Sequence, residues 1–361
     1  MSKIILVRNM HGFIPTYLLT ELVARNPELY AFADTIAETA KLYATSPIRT
    51  NPHLRFVGAG KGDIEIYDCE ASTRRPGKKA RFEGEQATGN ADVDNAYDFT
   101  RWVREYFLNV HGRNSIDGSG MKLISSVNYG RGYNNAYWDG RQMTYGKGDG
   151  SIFSSFVIAD VCGHEIAHGV TQHMANIEYY GQSGALNEHI SDVFGEAIEM
   201  YAKAIPTAKA DWVIGNGIFM PGINGTGIRN MLNPGTAYND KKLGKDPQPG
   251  HMKDYVKTSG DNGGVHYNSG IPNRAFALFA IDLGGNVWDK ATKIWYAALA
   301  NAGNRPSFAS FSHQTIEACK VLGTADDLAK LRSAWDRVGV IPNAKGIDDL
   351  TPDVGDRSEE E

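Results

Sequence analysis

The spacing of apolar positions changes along the chain, and each change marks a different kind of element. In the first fifty residues, "IPTYLL" leads into "PELYAFADTIAETAKLY", where Leu29, Phe32, Ile36, Ala40 and Tyr43 fall on one helical face. Pro27 sits near the first turn of that helix, where its missing N–H costs nothing. The Pro-, Gly- and base-rich "SPIRTNPHLRFVGAGKG" that follows reads as an exposed linker. From about residue 55 to 155, short apolar stretches such as "DIEIYD" and "KLISSVNYG" alternate with turn-like "NNAYWDG" and "GKGDG", the texture of a sheet-rich lobe. One helix, roughly Val93 to Leu108, interrupts it. A second is expected over Phe156–Met174. Beyond about residue 178 the pattern is mainly helical, apart from a long Gly/Asn/Pro-rich stretch over 215–264, and connections of that length usually have a function.

Composition narrows the class. The chain has 361 residues, 42% hydrophobic and 22% charged, the profile of a soluble globular protein large enough for two core-bearing units. A net charge of −5 without a Lys/Arg block gives no footprint for nucleic acid. No apolar run approaches the eighteen or so residues of a membrane span. The apolar run Ile4–Val7 is too short for a signal peptide, so synthesis in the cytoplasm is expected, with export by a non-classical route left open. Cys69, Cys162 and Cys319 are far apart and odd in number, which favours free thiols. The final "GIDDLTPDVGDRSEEE" carries seven acids and one arginine and reads as a solvated, disordered tail.

Within the helix expected over 156–174 lies "GHEIAHGVTQH". His164 and His168, four residues apart, lie about 40° apart round a helix axis, so both imidazoles face one way. Glu165 can reach beside the same point. This is the spacing of two zinc ligands and a carboxylate general base. Chance would produce it in roughly 1–2% of chains of this composition, and less often inside a helical segment. A catalytic zinc needs a third protein ligand and an open position. His173 does not fit the pattern in which a third histidine follows six residues after the second, because Thr171 and Met174 stand at the required Gly and His positions. In "GALNEHISDVFG", Glu188 and Asp192 share a helix face: one can bind metal while the other accepts the free ring N–H of a ligand histidine. The alternative, a solvated acidic face, stays open on spacing alone. His189 points elsewhere on that helix and is read as bland.

"HEIAH", then "GALNEHISD", then "DNGGVHYNSGIPN", with "GYNNAYWDGRQMTYGKGDG" before them, closely resemble the thermolysin family of zinc metalloendopeptidases over about residues 60 to 340. The resemblance implies an α+β, two-lobed fold: a sheet-rich N-terminal lobe, a helical C-terminal lobe and the active-site cleft between them. It implies one catalytic zinc held by His164, His168 and Glu188, with Asp192 behind them. Glu165 would be the base for a zinc-bound water and then the acid for the leaving amine. His266 would stabilise the transition state and Asp261 would orient it. Tyr179, with Tyr180 beside it as an alternative register, would donate to the oxyanion. Arg229 would bind a substrate carbonyl and steady the geometry on the Glu188 side. Asn135 and Ala136 would hold substrate backbone, and Val161, Ile214, Ile218 and Ile228 would form the pocket after the scissile bond. The implied activity is endoproteolysis of proteins or peptides on the N-terminal side of large hydrophobic residues, by a monomer.

Two departures from the family pattern matter. Asp160, Glu199 and Asp211 match three carboxylates of a double calcium site, but Val213 and Asn216 replace two further acids, so one calcium at most is expected. "IPTYLL" is similar to the motif opening the short propeptide of protealysin-like members, with Thr16 for the second proline. Residues 1–52 are therefore expected to be an inhibitory pro-segment and linker, 53–177 the N-terminal lobe through the zinc helix, 178–345 the helical lobe and 346–361 the tail. A catalytically inactive binding protein on the same fold is the rival; it predicts loss of Glu165, a zinc ligand or His266, and none is lost.

Overall fold

A computed structural model describes residues 12–45 and 60–341. The acidic tail, the first eleven residues and the expected linker as far as residue 59 lie outside the described residues.

Two helices open the described chain, α1 (Thr16–Arg25) and α2 (Ala31–Thr45). The first begins directly after Pro15, whose φ of −59° suits the residue before a helix. The face α2 buries is not the expected one. Phe32 and Leu42 are buried together with Thr35 and Thr39, whereas Ile36 and Ala40 are only half-buried. The threonines are inside because each has a partner: Thr35 Oγ1 accepts the Asn134 N–H at 3.0 Å, and Thr39 Oγ1 meets the Tyr133 hydroxyl at 2.8 Å.

The sheet-rich lobe is built from β1 (Ile64–Asp68), β2 (Lys78–Phe82), β3 (Leu123–Tyr129), β4 (Ala136–Trp138) and β5 (Met143–Gly146), in the order β2-β1-β3-β5-β4. The central pairs β1/β3 and β3/β5 are parallel, and the outer strands are antiparallel. Helix α3 (Ala91–His111) packs on the sheet. It runs further than the expected Val93–Leu108 because the Asn90 side chain caps its first turn and Gly112, at φ 64°, ends it. The stretch "NNAYWDG", read from sequence as a turn, contributes β4 instead; its three residues are all buried. One face of β4 packs against the next helix, where a β-carbon on Gly169 would stand 2.7 Å from Ile116 and 3.0 Å from the Trp138 ring.

Helix α4 (Ala159–Met174) passes through the middle of the molecule, buried on nearly every side. It begins at Ala159, not Phe156: Phe156 N–H is taken by the Gly146 carbonyl at 3.0 Å, and Ile158 is extended. Flush against α4 runs α5 (Gly181–Ala202). Their backbones meet at two glycines. A β-carbon on Gly163 would stand 2.9 Å from the Gly195 Cα, and one on Gly195 would stand 2.6 Å from the Asp160 carbonyl oxygen. The long 215–264 stretch carries β7 (Arg229–Asn230), which pairs with β6 (Val213–Ile214) just before it, and β8 (Asn239–Asp240), which pairs with β9 (Gly244–Lys245). Helices α6 (Asp261–Asn268), α7 (Gly270–Leu283), α8 (Ala291–Ala300), α9 (Phe308–Leu322) and α10 (Ala325–Arg337) complete the helical lobe. One apolar cluster runs through both lobes. Among the described residues, no helix is long and apolar enough to cross a membrane.

Gly195→Ala is expected to force α4 and α5 apart and to destabilise the protein by about 1–3 kcal/mol, the usual cost of overpacking. Urea unfolding measures this; an unchanged midpoint would show that the close approach of the two backbones is not required.

Candidate active site

Helices α4 and α5 bring His164, His168 and Glu188 together. Among the described residues, this is the group of histidine, cysteine and acidic side chains whose ligand atoms all lie within 4.8 Å of one another. The His164 and His168 Nε2 atoms are 3.0 Å apart, and each lies about as far from a Glu188 oxygen, at 3.4 and 3.5 Å. The opposite ring nitrogens are already committed. His164 Nδ1 donates to Asp192 Oδ1 at 2.8 Å, and His168 Nδ1 to Asn187 Oδ1 at 2.8 Å. Burial lowers both histidines to about 4, so they are neutral at pH 7. Two imidazole lone pairs and a carboxylate therefore face one point, with Glu188 Oε2 lacking a hydrogen-bond partner. Such a convergence is repulsive unless a cation fills it, and a two-nitrogen, one-oxygen set with an open side suits catalytic zinc.

Glu165 is buried one residue along α4, and its Oε1 has no hydrogen-bond partner. Burial first, and the Glu188 carboxylate second, raise it to about 8; the Trp138 backbone N–H opposes them by donating to it. A bound divalent cation would also oppose the rise.

On the other side of the point stand Tyr179 and His266. The Tyr179 hydroxyl donates to Glu188 Oε1 and lies 3.2 Å from His266 Nε2. Tyr180, the alternative register, is at the surface. His266 is fixed twice by Asp261: its Nδ1 lies 2.6 Å from Oδ1, and its backbone N–H donates to Oδ2 at 2.8 Å. The sequence "DNGG" makes this possible. Asp261, Asn262, Gly263 and Gly264 all have φ between 51° and 83°, a left-handed run that these residue types tolerate best. Burial works against protonation of His266, but Glu188 and Asp261 outweigh it and raise the imidazole to about 9.

Arg229 pairs with Asp192 through two 2.8 Å bonds and not with Glu188. Asp192 also receives His164 Nδ1 and Asn273 Nδ2, each at 2.8 Å. Burial alone would raise its pKa, but Arg229 and His164 hold it well below the usual carboxylate range. Arg229 Nη1 remains to donate to the Phe13 carbonyl at 3.2 Å.

Residues 12–14 lie in the cleft. Phe13 N–H donates to the Ala136 carbonyl at 3.1 Å, Ile14 N–H to Asn135 Oδ1 at 2.8 Å, and Asn135 Nδ2 to the Ile14 carbonyl at 3.4 Å. The segment thus lies along the β4 edge, held by one backbone bond to Ala136 and two to the Asn135 side chain, without adding a strand. The Phe13 ring is buried edge-on to His164, with centroids 5.5 Å apart, in the same apolar cluster as Val161, Ile214, Ile218 and Ile228. Gly215 leaves the ring its space: a β-carbon there would stand 3.2 Å from Phe13 Cζ. Gly12 lies so close to Asn135 that a β-carbon would meet its Nδ2 at 2.7 Å.

The acids read as a calcium site already have partners. Asp160 is buried and accepts the Gly215 and Val161 N–H groups, Asp211 is exposed and bonded to Asn216, and Glu199 pairs with Lys203. Glu196, one turn before Glu199, is a buried acid that sequence reasoning passed over; burial, then Asp211 and Asp160, raise its pKa. Also passed over were Asn187, behind His168, and Asn273, behind Asp192. His173 turns back to the Gly169 carbonyl at 2.9 Å, away from the metal point. His189, read as bland, is buried between Asn273 and Trp295, and burial lowers it to about 4.

Comparison with known proteins agrees with this geometry. Residues 39–172 match the family described as thermolysin metallopeptidase, catalytic domain, and residues 175–340 match thermolysin metallopeptidase, alpha-helical domain. An extracellular metalloprotease of Pectobacterium carotovorum subsp. carotovorum is 42% identical over 340 residues, which cover 92% of this chain and 97% of that protein. Protease PrtS of Photorhabdus sp. (strain Az29) is 40% identical, with 92% of each chain covered. The solved structure of a precursor of protealysin, a metalloproteinase from Serratia proteamaculans, superimposes with a TM-score of 0.83 at 43% identity, over 91% of this chain and 99% of that one.

Proposed function

The chain belongs to the thermolysin family of metallopeptidases and is a zinc-dependent neutral endopeptidase, and from that premise we propose how its own residues divide the work. His164, His168 and Glu188 hold the zinc; the observation that carries this is the pair of neutral imidazoles whose Nε2 atoms converge on a Glu188 carboxylate. When bound, zinc polarises the scissile carbonyl and makes water acidic enough to attack at neutral pH. Glu165 takes the proton of the attacking water and passes it to the leaving amine, a task suited to a carboxyl lifted towards neutrality. Protonated His266, held by Asp261, and the Tyr179 hydroxyl donate to the carbonyl oxygen as its charge grows. Asn135 and Ala136 hold the peptide backbone, Arg229 holds the next carbonyl, and the Val161, Ile214, Ile218 and Ile228 pocket takes the side chain following the cut.

Residues 12–45 then act as an intramolecular inhibitor. Phe13 stands where that side chain would go, with its N–H on Ala136 and its carbonyl on Arg229. The similarity to a protealysin precursor supports the reading that the chain is made as a zymogen. The protein acts as a monomer on protein or peptide substrates. For calcium, oxygen-only donors at Asp160, Glu196, Glu199 and Asp211 suit a hard cation. The Lys203 ammonium on Glu199 already supplies one positive charge there, so the chain takes one calcium at most.

Glu165→Gln should retain wild-type zinc content while kcat on a quenched fluorescent peptide with Leu or Phe after the scissile bond falls about 10²–10⁴-fold; undiminished turnover would remove Glu165 from the mechanism. Phe13→Asp, which puts a charge into the apolar pocket, should raise the initial rate of the uncleaved full chain about tenfold or more. A rate that stays at the wild-type precursor level would mean Phe13 does not block the site. Titration of chelator-stripped, zinc-reloaded protein with calcium should show at most one ion per chain by calorimetry, and two would overturn the charge argument.

A further inference from the structure

A continuous line of hydrogen bonds runs from the aromatic core of the helical lobe to His164. Trp295 Nε1 donates to His189 Nε2 at 2.7 Å, and His189 Nδ1 lies 2.8 Å from Asn273 Oδ1. Asn273 Nδ2 donates to Asp192 Oδ2 at 2.8 Å, and His164 Nδ1 donates to Asp192 Oδ1 at 2.8 Å. All five side chains are buried.

The direction of this line is forced by its ends. An indole N–H can only donate and an ionised carboxylate can only accept. Because Trp295 donates to Nε2, the neutral His189 must carry its proton on Nδ1. That N–H obliges Asn273 to present its oxygen, which turns the amide NH₂ towards Asp192. With the amide reversed, its oxygen would face the Asp192 carboxylate and its NH₂ would face the His189 N–H, two repulsive contacts in a dry interior. The Asp192 carboxylate already demands the amide NH₂, and the His189 Nδ1–H makes the matching demand on the amide oxygen, so the amide is held from both ends.

The donor at the far end is itself fixed. Trp295, on α8, stacks on Trp335 with centroids 6.0 Å apart and an interplanar angle of 11°, and on Phe279 at 5.7 Å. The Asp192 carboxylate is held from its other side by Arg229. Removing Asn273's donor leaves Asp192 with Arg229 and His164 only, and the unmatched Oδ2 lone pair in a dry interior favours a shift of the carboxylate towards Arg229 that the His164 ring must follow.

We propose that His189 is a positioning residue for the zinc site: its Nδ1–H orients Asn273, which fixes Asp192 as the acceptor for His164. The proposal rests on the reading of His164 as a zinc ligand. Outer partners of metal-bound histidines typically carry about 10–100-fold in metal affinity, and a residue acting through one of them belongs at the lower end.

The test uses the full chain and two readouts that do not depend on turnover: zinc affinity by competition with a chromophoric chelator, and the visible spectrum of the cobalt-substituted protein. His189→Leu should weaken zinc about tenfold and alter the cobalt bands, with the far-ultraviolet circular dichroism unchanged. His189→Gln keeps an acceptor for Trp295 and a donor for Asn273, and should recover most of the affinity. Trp295→Phe keeps an aromatic ring in the stack while removing the N–H, so it keeps the idea testable if the leucine variant fails to fold; it should shift the cobalt spectrum in the same sense. Wild-type zinc affinity in His189→Leu, or in Trp295→Phe if the leucine variant does not fold, would overturn the relay, as would equal losses in His189→Leu and His189→Gln. His164→Ala and Asp192→Ala are the controls: if neither weakens zinc, it is the ligand assignment that fails.

Discussion

Asp192 carries a negative charge where no water reaches it, and the centre of the molecule is arranged around keeping it there. An ionised carboxylate in a dry interior is tolerated only when its lone pairs are fully engaged. Here four donor contacts come from three directions: Arg229 twice, His164 and Asn273. The arrangement links elements far apart in sequence. His164 belongs to α4, Asp192 to α5, Arg229 to β7 and Asn273 to α7. The close approach of α4 and α5 at Gly163 and Gly195 brings the histidine within reach of the acid. The acid in turn fixes which imidazole nitrogen faces the metal point.

Arg229 is the member of this group with a second duty. Two of its nitrogens bind Asp192, and the third points into the cleft and meets the Phe13 carbonyl. A guanidinium anchored by a bidentate pair gives up little freedom when it takes one more acceptor. Whatever carbonyl occupies that position is therefore read by a group already rigid, and that group also touches the carboxylate behind the metal ligand. On the proposed reading, recognition of backbone and support of the metal centre share one residue.

Much of this was legible in the sequence, for reasons that differ by residue. His164, Glu165 and His168 are readable because helical geometry converts spacing into a shared face. Glu188 and Asp192 share a face by the same rule, but spacing could not say which binds metal; the structure separates them, with Glu188 beside both Nε2 atoms and Asp192 on Nδ1. Strand β4 was missed by pattern because "NNAYWDG" is rich in turn formers and only three residues long; its strand character comes from pairing with β5. The buried face of α2 was misjudged because Thr35 and Thr39 look polar until their partners on the 133–134 loop are known. His189 was set aside because it points away from the metal. That direction was right, but Asn273 and Trp295 lie 84 and 106 residues downstream, beyond any local rule.

The way Phe13 lies along β4 has a consequence for the life of the molecule before it works. A protease that grips substrate by its main chain has to present a strand edge with unpaired amide and carbonyl groups, and such edges are where folded chains stick to one another. Residues 13 and 14 cover part of that edge, the Ala136 carbonyl and the Asn135 side chain. On the proposed reading, the segment that withholds activity also shields that part of the edge from a second chain.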